Sequence, residues 1–151
     1  MKRLLFAKAL GCMLLFSSFS IAAIAGPSPF QQHPYYLHAL SDLRAARWMI
    51  EHRPGNWVQT NDEITAINQI DAAIGEIKKA SIEDGKDIND HPMVDERNDH
   101  HGRLHEANDF LRKARKDISH DEDNAFAQGL QARAYMHIDA AIDAVKRALR
   151  S

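Results

Sequence analysis

The 151-residue chain holds a single cysteine, Cys12, inside an apolar stretch near the N-terminus. The rest of the sequence therefore forms no disulfide, offers no thiolate ligand to zinc and supplies no thiol nucleophile. Long apolar runs are equally scarce: beyond Ala25 nothing approaches the ~20 residues that a membrane-spanning helix needs. There is no Gly-rich phosphate loop, no G-x-S-x-G, no HExxH, no CxxCH for covalent haem and no duplicated Glu-x-x-His of the kind that loads a helical bundle with two irons. Once the N-terminal Lys2, Arg3 and Lys8 are set aside, acid exceeds base, which argues against a nucleic-acid partner. Alternation of period two, the mark of strands, is missing as well.

What is present begins with a charge-then-apolar order. Lys2, Arg3 and Lys8 precede an apolar stretch from Ala9 to Ala25 that closes on the small-x-small triplet Ala23-Ile24-Ala25. This order reads as a secretory signal over residues 1–25, cleaved after Ala25. Gly26-Pro27-Ser28-Pro29 then opens a flexible N-terminal segment, 26–35. An alternative reading makes Cys12 a lipidated residue, but the apolar run continues well past it and Ala9-Leu10-Gly11 matches a lipobox loosely. Either reading places the protein outside the cytoplasm, in the periplasm or secreted.

The remainder is a tandem duplication. A shift of 68 residues brings Ala39, Leu43, Arg44, Ala46, Arg47, Ile50 and His52 onto Ala107, Leu111, Arg112, Ala114, Arg115, Ile118 and His120. The same shift lays Ile70-Asp71-Ala72-Ala73-Ile74 on Ile138-Asp139-Ala140-Ala141-Ile142 without a gap. Roughly a third of the aligned positions are identical, far above chance for one fixed register.

Each copy carries two helical periods. Tyr36, Ala39, Leu43, Ala46 and Ile50 match Leu104, Ala107, Leu111, Ala114 and Ile118 in alternating steps of three and four, an a/d seam. In the second helix Ile67, Ile70, Ile74 and Ile77 correspond to Tyr135, Ile138, Ile142 and Val145. Thr60 with Glu63 is the sequence of a capping box; Pro54-Gly55 closes the first helix, and Gly85 with Pro92 bounds the second. Four one-striped helices bury their stripes economically only against each other. The expected fold is all-α, an antiparallel four-helix bundle over 36–151 made of two tandem hairpins, 36–82 and 101–151, joined by a linker at 83–100.

Candidate chemistry concentrates in and after that linker. His101, His105 and Asp109 recur every four residues, so a helix starting near Asp99 presents two imidazoles and a carboxylate on one face. With His91 or linker carboxylates they form a candidate divalent-metal site for zinc, copper or nickel. The plainer account is a solvated acidic linker and a polar helix flank. His38 and Asp42, four apart, read as a local helical hydrogen bond. His52 and His120, matched by the repeat at equivalent helix ends, read as caps on unpaired carbonyls. Arg47 with Asp71 and Arg115 with Asp139 recur at the same shift and read as two interhelical ion pairs that set register; an anion held between hairpins is the alternative. Trp48, Met49, Trp57, Tyr135, Met136 and His137 are the residues from which a non-covalent haem pocket would be made, but nothing sets a Met and a His at matching depth. Trp57, between helices, is expected to plug one end of the core.

His33-Pro34, Leu40-x-x-Leu43-Arg44-x-Ala46-Arg47, Ile70-Asp71-x-Ala73-Ile74-x-x-Ile77-Lys78-Lys79 and Asp90-His91-Pro92 together resemble an uncharacterised group of small exported bacterial four-helix proteins. The resemblance implies export and a bundle, and it carries over no activity and no site residue. With no catalytic motif in view, the expectation is a non-enzymatic periplasmic or secreted protein that binds a protein partner or small ligand through the linker and adjoining helix faces. Divalent-metal binding is the alternative.

Overall fold

The computed structural model describes residues 34–52, 54–55, 57–81, 89–121 and 125–151. The secretory-signal reading, most of the 26–35 segment and Gly85 lie outside them. Four helices account for most of the described chain: α1 Pro34–Glu51, α2 Asn61–Ser81, α3 His100–Asp117 and α4 Ala125–Ala148. The protein is an all-helical four-helix bundle, and no described helix is long and apolar enough to cross a membrane.

Local chemistry sets the helix ends. At the start of α2 the Thr60 backbone N–H donates to Glu63 Oε2 (2.7 Å) and the Glu63 N–H to Thr60 Oγ1 (3.2 Å), so the capping box is complete. Asp99 caps α3 by accepting from the Gly102 N–H at 2.7 Å. After α1 the chain turns at Gly55, whose φ of +70° is left-handed and disfavours any side chain.

Both seams are buried. Tyr36, Ala39, Leu43, Ala46, Ile50 and their counterparts Leu104 to Ile118 lie in one core with Ile70, Ile74, Ile77, Ile138, Ile142 and Val145. Ile67 and Tyr135 are only partly covered at its edge. Leu40 and Met49 are also fully buried, which widens the α1 stripe beyond a strict a/d seam.

The order of packing differs from two self-contained hairpins. Each helix makes its widest contact with its own repeat counterpart, α1 with α3 and α2 with α4, and a narrower one with its hairpin mate. Tyr35, at the start of α1, stacks on His120 beyond the end of α3. Arg103 in the first turn of α3 reaches the His52 carbonyl beyond the end of α1. Asp62 and Glu76 of α2 meet Arg147 and Arg133 of α4 in the same crossed order. Counterparts therefore run antiparallel, and a pseudo-two-fold relates the copies. Gln69 and His137, identical positions under the 68-residue shift, hydrogen-bond to each other at 2.7 Å, as groups flanking such an axis must. The helices run up, down, down, up, so the connection from Ser81 to His100 spans the length of the bundle.

Candidate ligand cleft at the end of the bundle

Four segments meet at the end where α3 begins. The α1–α2 turn supplies Pro54, Trp57, Val58 and Thr60; the end of the linker supplies Glu96, Arg97, Asn98 and Asp99. The first turns of α3 add His100, His101 and Leu104, and the end of α4 adds Ala148, Leu149 and Ser151. Between them lies a mainly apolar cleft of about 870 Å³, inside the range of about 300–1,000 Å³ usual for small-molecule sites. Trp57 is 62 % exposed, so it is a wall of this cleft and not the expected plug of the core. Its loop position explains the difference: Trp57 precedes α2 and belongs to no seam.

One polar pair is set into the wall. Glu63 is fully buried although its carboxylate closes the capping box, and Oε1 lies 2.7 Å from His100 Nε2. The His100 ring, 16 % exposed, also sits against the Trp57 indole at 4.8 Å between centroids. A buried carboxylate thereby holds one imidazole at the cleft and fixes its orientation.

The linker wall is fastened by a second buried group. Arg103 is 6 % exposed. Its guanidinium donates to three backbone carbonyls: His52 O at 2.5 Å, Asn98 O at 3.0 Å and Glu96 O. Beneath it lies the Trp48 ring, 5.2 Å from the guanidinium carbon, which also contacts the rings of His52 and His91. A planar fork with five donors suits such convergence; a lysine does not.

The other candidate residues take simpler places. His101 and His105 touch edge-to-face at 4.8 Å, and both are exposed, as is Asp109. His91 lies against Trp48 with Nδ1 on the Pro92 carbonyl (2.8 Å). Among the described residues no three His, Cys, Asp or Glu side chains are grouped to hold a metal ion. Arg47 Nε meets Asp71 Oδ1 at 2.8 Å and Arg115 Nε meets Asp139 Oδ1 at 2.5 Å, two equivalent pairs in the two copies. Arg47 also binds Glu51, and Arg115 lies over the Tyr135 ring at 4.3 Å. His52 Nδ1 lies 3.2 Å from the Trp48 carbonyl, a helix-end contact; at the equivalent end Gln131 caps the Ile118 and His120 carbonyls while His120 stacks on Tyr35. Met49 is buried in the core, Met136 is exposed and His137 is bound to Gln69; none of the three lines a described cleft. Burial raises the Asp42 carboxyl above the ordinary aspartate range, Asp117 adds to the shift, and Lys113 and His38 oppose it.

Fold and cleft define a class, a four-helix bundle with one long crossover and a ligand-sized opening at the crossover's end. Comparison with protein-family models, curated proteins and solved structures gives no match.

Proposed function

We propose that this is an exported, non-enzymatic binding protein of the periplasm or extracellular space that takes a small, largely apolar ligand in the end cleft. The observation that carries the reading is the cleft itself, ligand-sized and walled by Trp57, Val58, Pro54, Leu104 and Leu149. An indole left 62 % exposed beside an 83 %-exposed valine gives an apolar molecule surface to cover. The cleft also draws on the linker, the single-copy part of a duplicated chain, where a function acquired after duplication would reside. The signal-like order of residues 1–25 supports export.

The test uses N-phenyl-1-naphthylamine, a neutral apolar probe whose emission rises on leaving water. Saturable binding at one site is expected, weakened at least tenfold by Trp57→Ala and unchanged by Met136→Ala, which removes an exposed apolar side chain remote from the cleft. Non-saturable binding, or equal binding by the Trp57→Ala protein, would sink the assignment.

A further inference from the structure

The cleft also has a chemical preference, and on the ligand-binding reading above we infer that its ligand is a neutral apolar alcohol or phenol, with its hydroxyl donating to His100. The inference starts from hydrogen bookkeeping. Both Glu63 oxygens accept, one from the Thr60 N–H and one from His100 Nε2. A ring hydrogen on Nε2 serves that carboxylate, and in the tautomer this bond selects Nδ1 is a lone-pair acceptor with no described partner. An O–H is the group that satisfies it without bringing a charge.

The charges around the cleft point the same way. Glu96 and Asp99 stand on the linker wall. Arg97, the cation beside them, is taken by Asp95 through Nε at 3.0 Å and Nη2 at 3.3 Å, and that bond holds the Asp95 carboxyl below its ordinary range. An anionic ligand meets a surplus of acid here, so a carboxylate is the wrong head group.

The pseudo-two-fold supplies an independent comparison. Under the 68-residue shift, Trp57, Glu63 and Leu104 become Ala125, Gln131 and Tyr36. Gln131 uses its amide on the Ile118 and His120 carbonyls, at 2.6 and 2.7 Å, and so closes the helix end. At the cleft end the same position carries an ionisable carboxyl directed to an imidazole. One scaffold position thus caps a helix end in both copies and, in one of them, also forms a part-buried acid–histidine pair beside an open cleft.

The experiment is displacement of N-phenyl-1-naphthylamine by three molecules sharing one ring system: naphthalene, 2-naphthol and 2-naphthoate, at pH 7. The expected order places 2-naphthol at least fivefold tighter than naphthalene and tenfold tighter than 2-naphthoate. His100→Phe should keep naphthalene binding and abolish the naphthol preference. Glu63→Gln, whose amide can donate to Nε2 and move the ring hydrogen to Nδ1, should shrink that preference in a protein that keeps the Thr60 cap. Naphthoate binding as tightly as naphthol overturns the inference, as does a naphthol preference that survives His100→Phe. If the probe does not bind at all, the cleft reading itself has failed; if it binds while the three competitors rank equally, only the hydroxyl preference has failed.

Discussion

Replacing Arg103 with methionine tests how the crossover is held to the bundle. Methionine keeps much of the aliphatic stem and removes the three hydrogen bonds to His52, Asn98 and Glu96 together with the contact over Trp48. Bonds from a charged donor contribute about 1.5–3 kcal/mol each and a cation–π contact about 0.5–1 kcal/mol. Against this stands the desolvation of a guanidinium that is 6 % exposed, which takes back several kcal/mol. A net loss of about 3–5 kcal/mol is the result, or roughly 10–20 °C in melting temperature for a domain of this size. Arg103→Lys keeps the charge but not the fork and should fall about midway. Arg112→Met, at an exposed position in the same helix, is the control and should stay within about 0.5 kcal/mol. Urea unfolding followed by far-UV circular dichroism measures all three, and hydrogen exchange should show lost protection over residues 89–99 in the Arg103 variants. A loss below about 1 kcal/mol for Arg103→Met would refute the view that this guanidinium fastens the linker.

Four other outcomes follow from the packing. Asn108 is buried with Oδ1 lacking a partner, and its repeat counterpart is the fully buried Leu40, so Asn108→Leu should raise stability by about 1–2 kcal/mol in denaturant unfolding. Leu111→Ala, at a fully buried seam position, should cost about 2–5 kcal/mol. Asp42→Asn should raise the melting temperature at neutral pH: the folded carboxyl holds its proton above the ordinary value of 3.8, so wild-type stability is lost as pH rises from there through the raised value. The gain should therefore vanish in scans below that ordinary range. Arg115→Met, at a pair whose side chains are 41 % and 45 % exposed, should cost at most about 1 kcal/mol, and Arg47→Met more, because Arg47 is 16 % exposed and bonded to both Asp71 and Glu51; the difference is read from paired unfolding curves.

The bundle was legible because its information is periodic. Seam positions such as Leu43 and Leu111 announce themselves by spacing, the Thr60 and Glu63 box by local pattern, and the two Arg–Asp pairs by recurrence at one shift. Packing order was not legible, since the same stripes serve a hairpin mate or a repeat counterpart equally well. The cleft was half visible: the linker and α3 start stood out as the unrepeated region, but for His101, His105 and Asp109, whereas His100, Arg103 and Leu104 carry the geometry. Glu63 fulfils its capping role and then extends it, and the extension depends on α3 arriving at the start of α2. The described hydrogen bonds of Arg103 go to backbone carbonyls, which leave no trace in side-chain identity. Trp57 reads as core by size alone, and only its place in the turn exposes it.

Because α1 leans chiefly on α3 and α2 on α4, neither copy of the repeat owns its stability. Each half presents its apolar stripe mostly to the other, in the manner of an obligate dimer whose subunits have been joined end to end. The smallest unit that unfolds cooperatively is then the whole bundle, and damage in one copy spreads to its counterpart before its chain neighbour. A cavity at Leu111 should loosen the amides of α1 more than those of α4, even though α4 is the next helix along the chain.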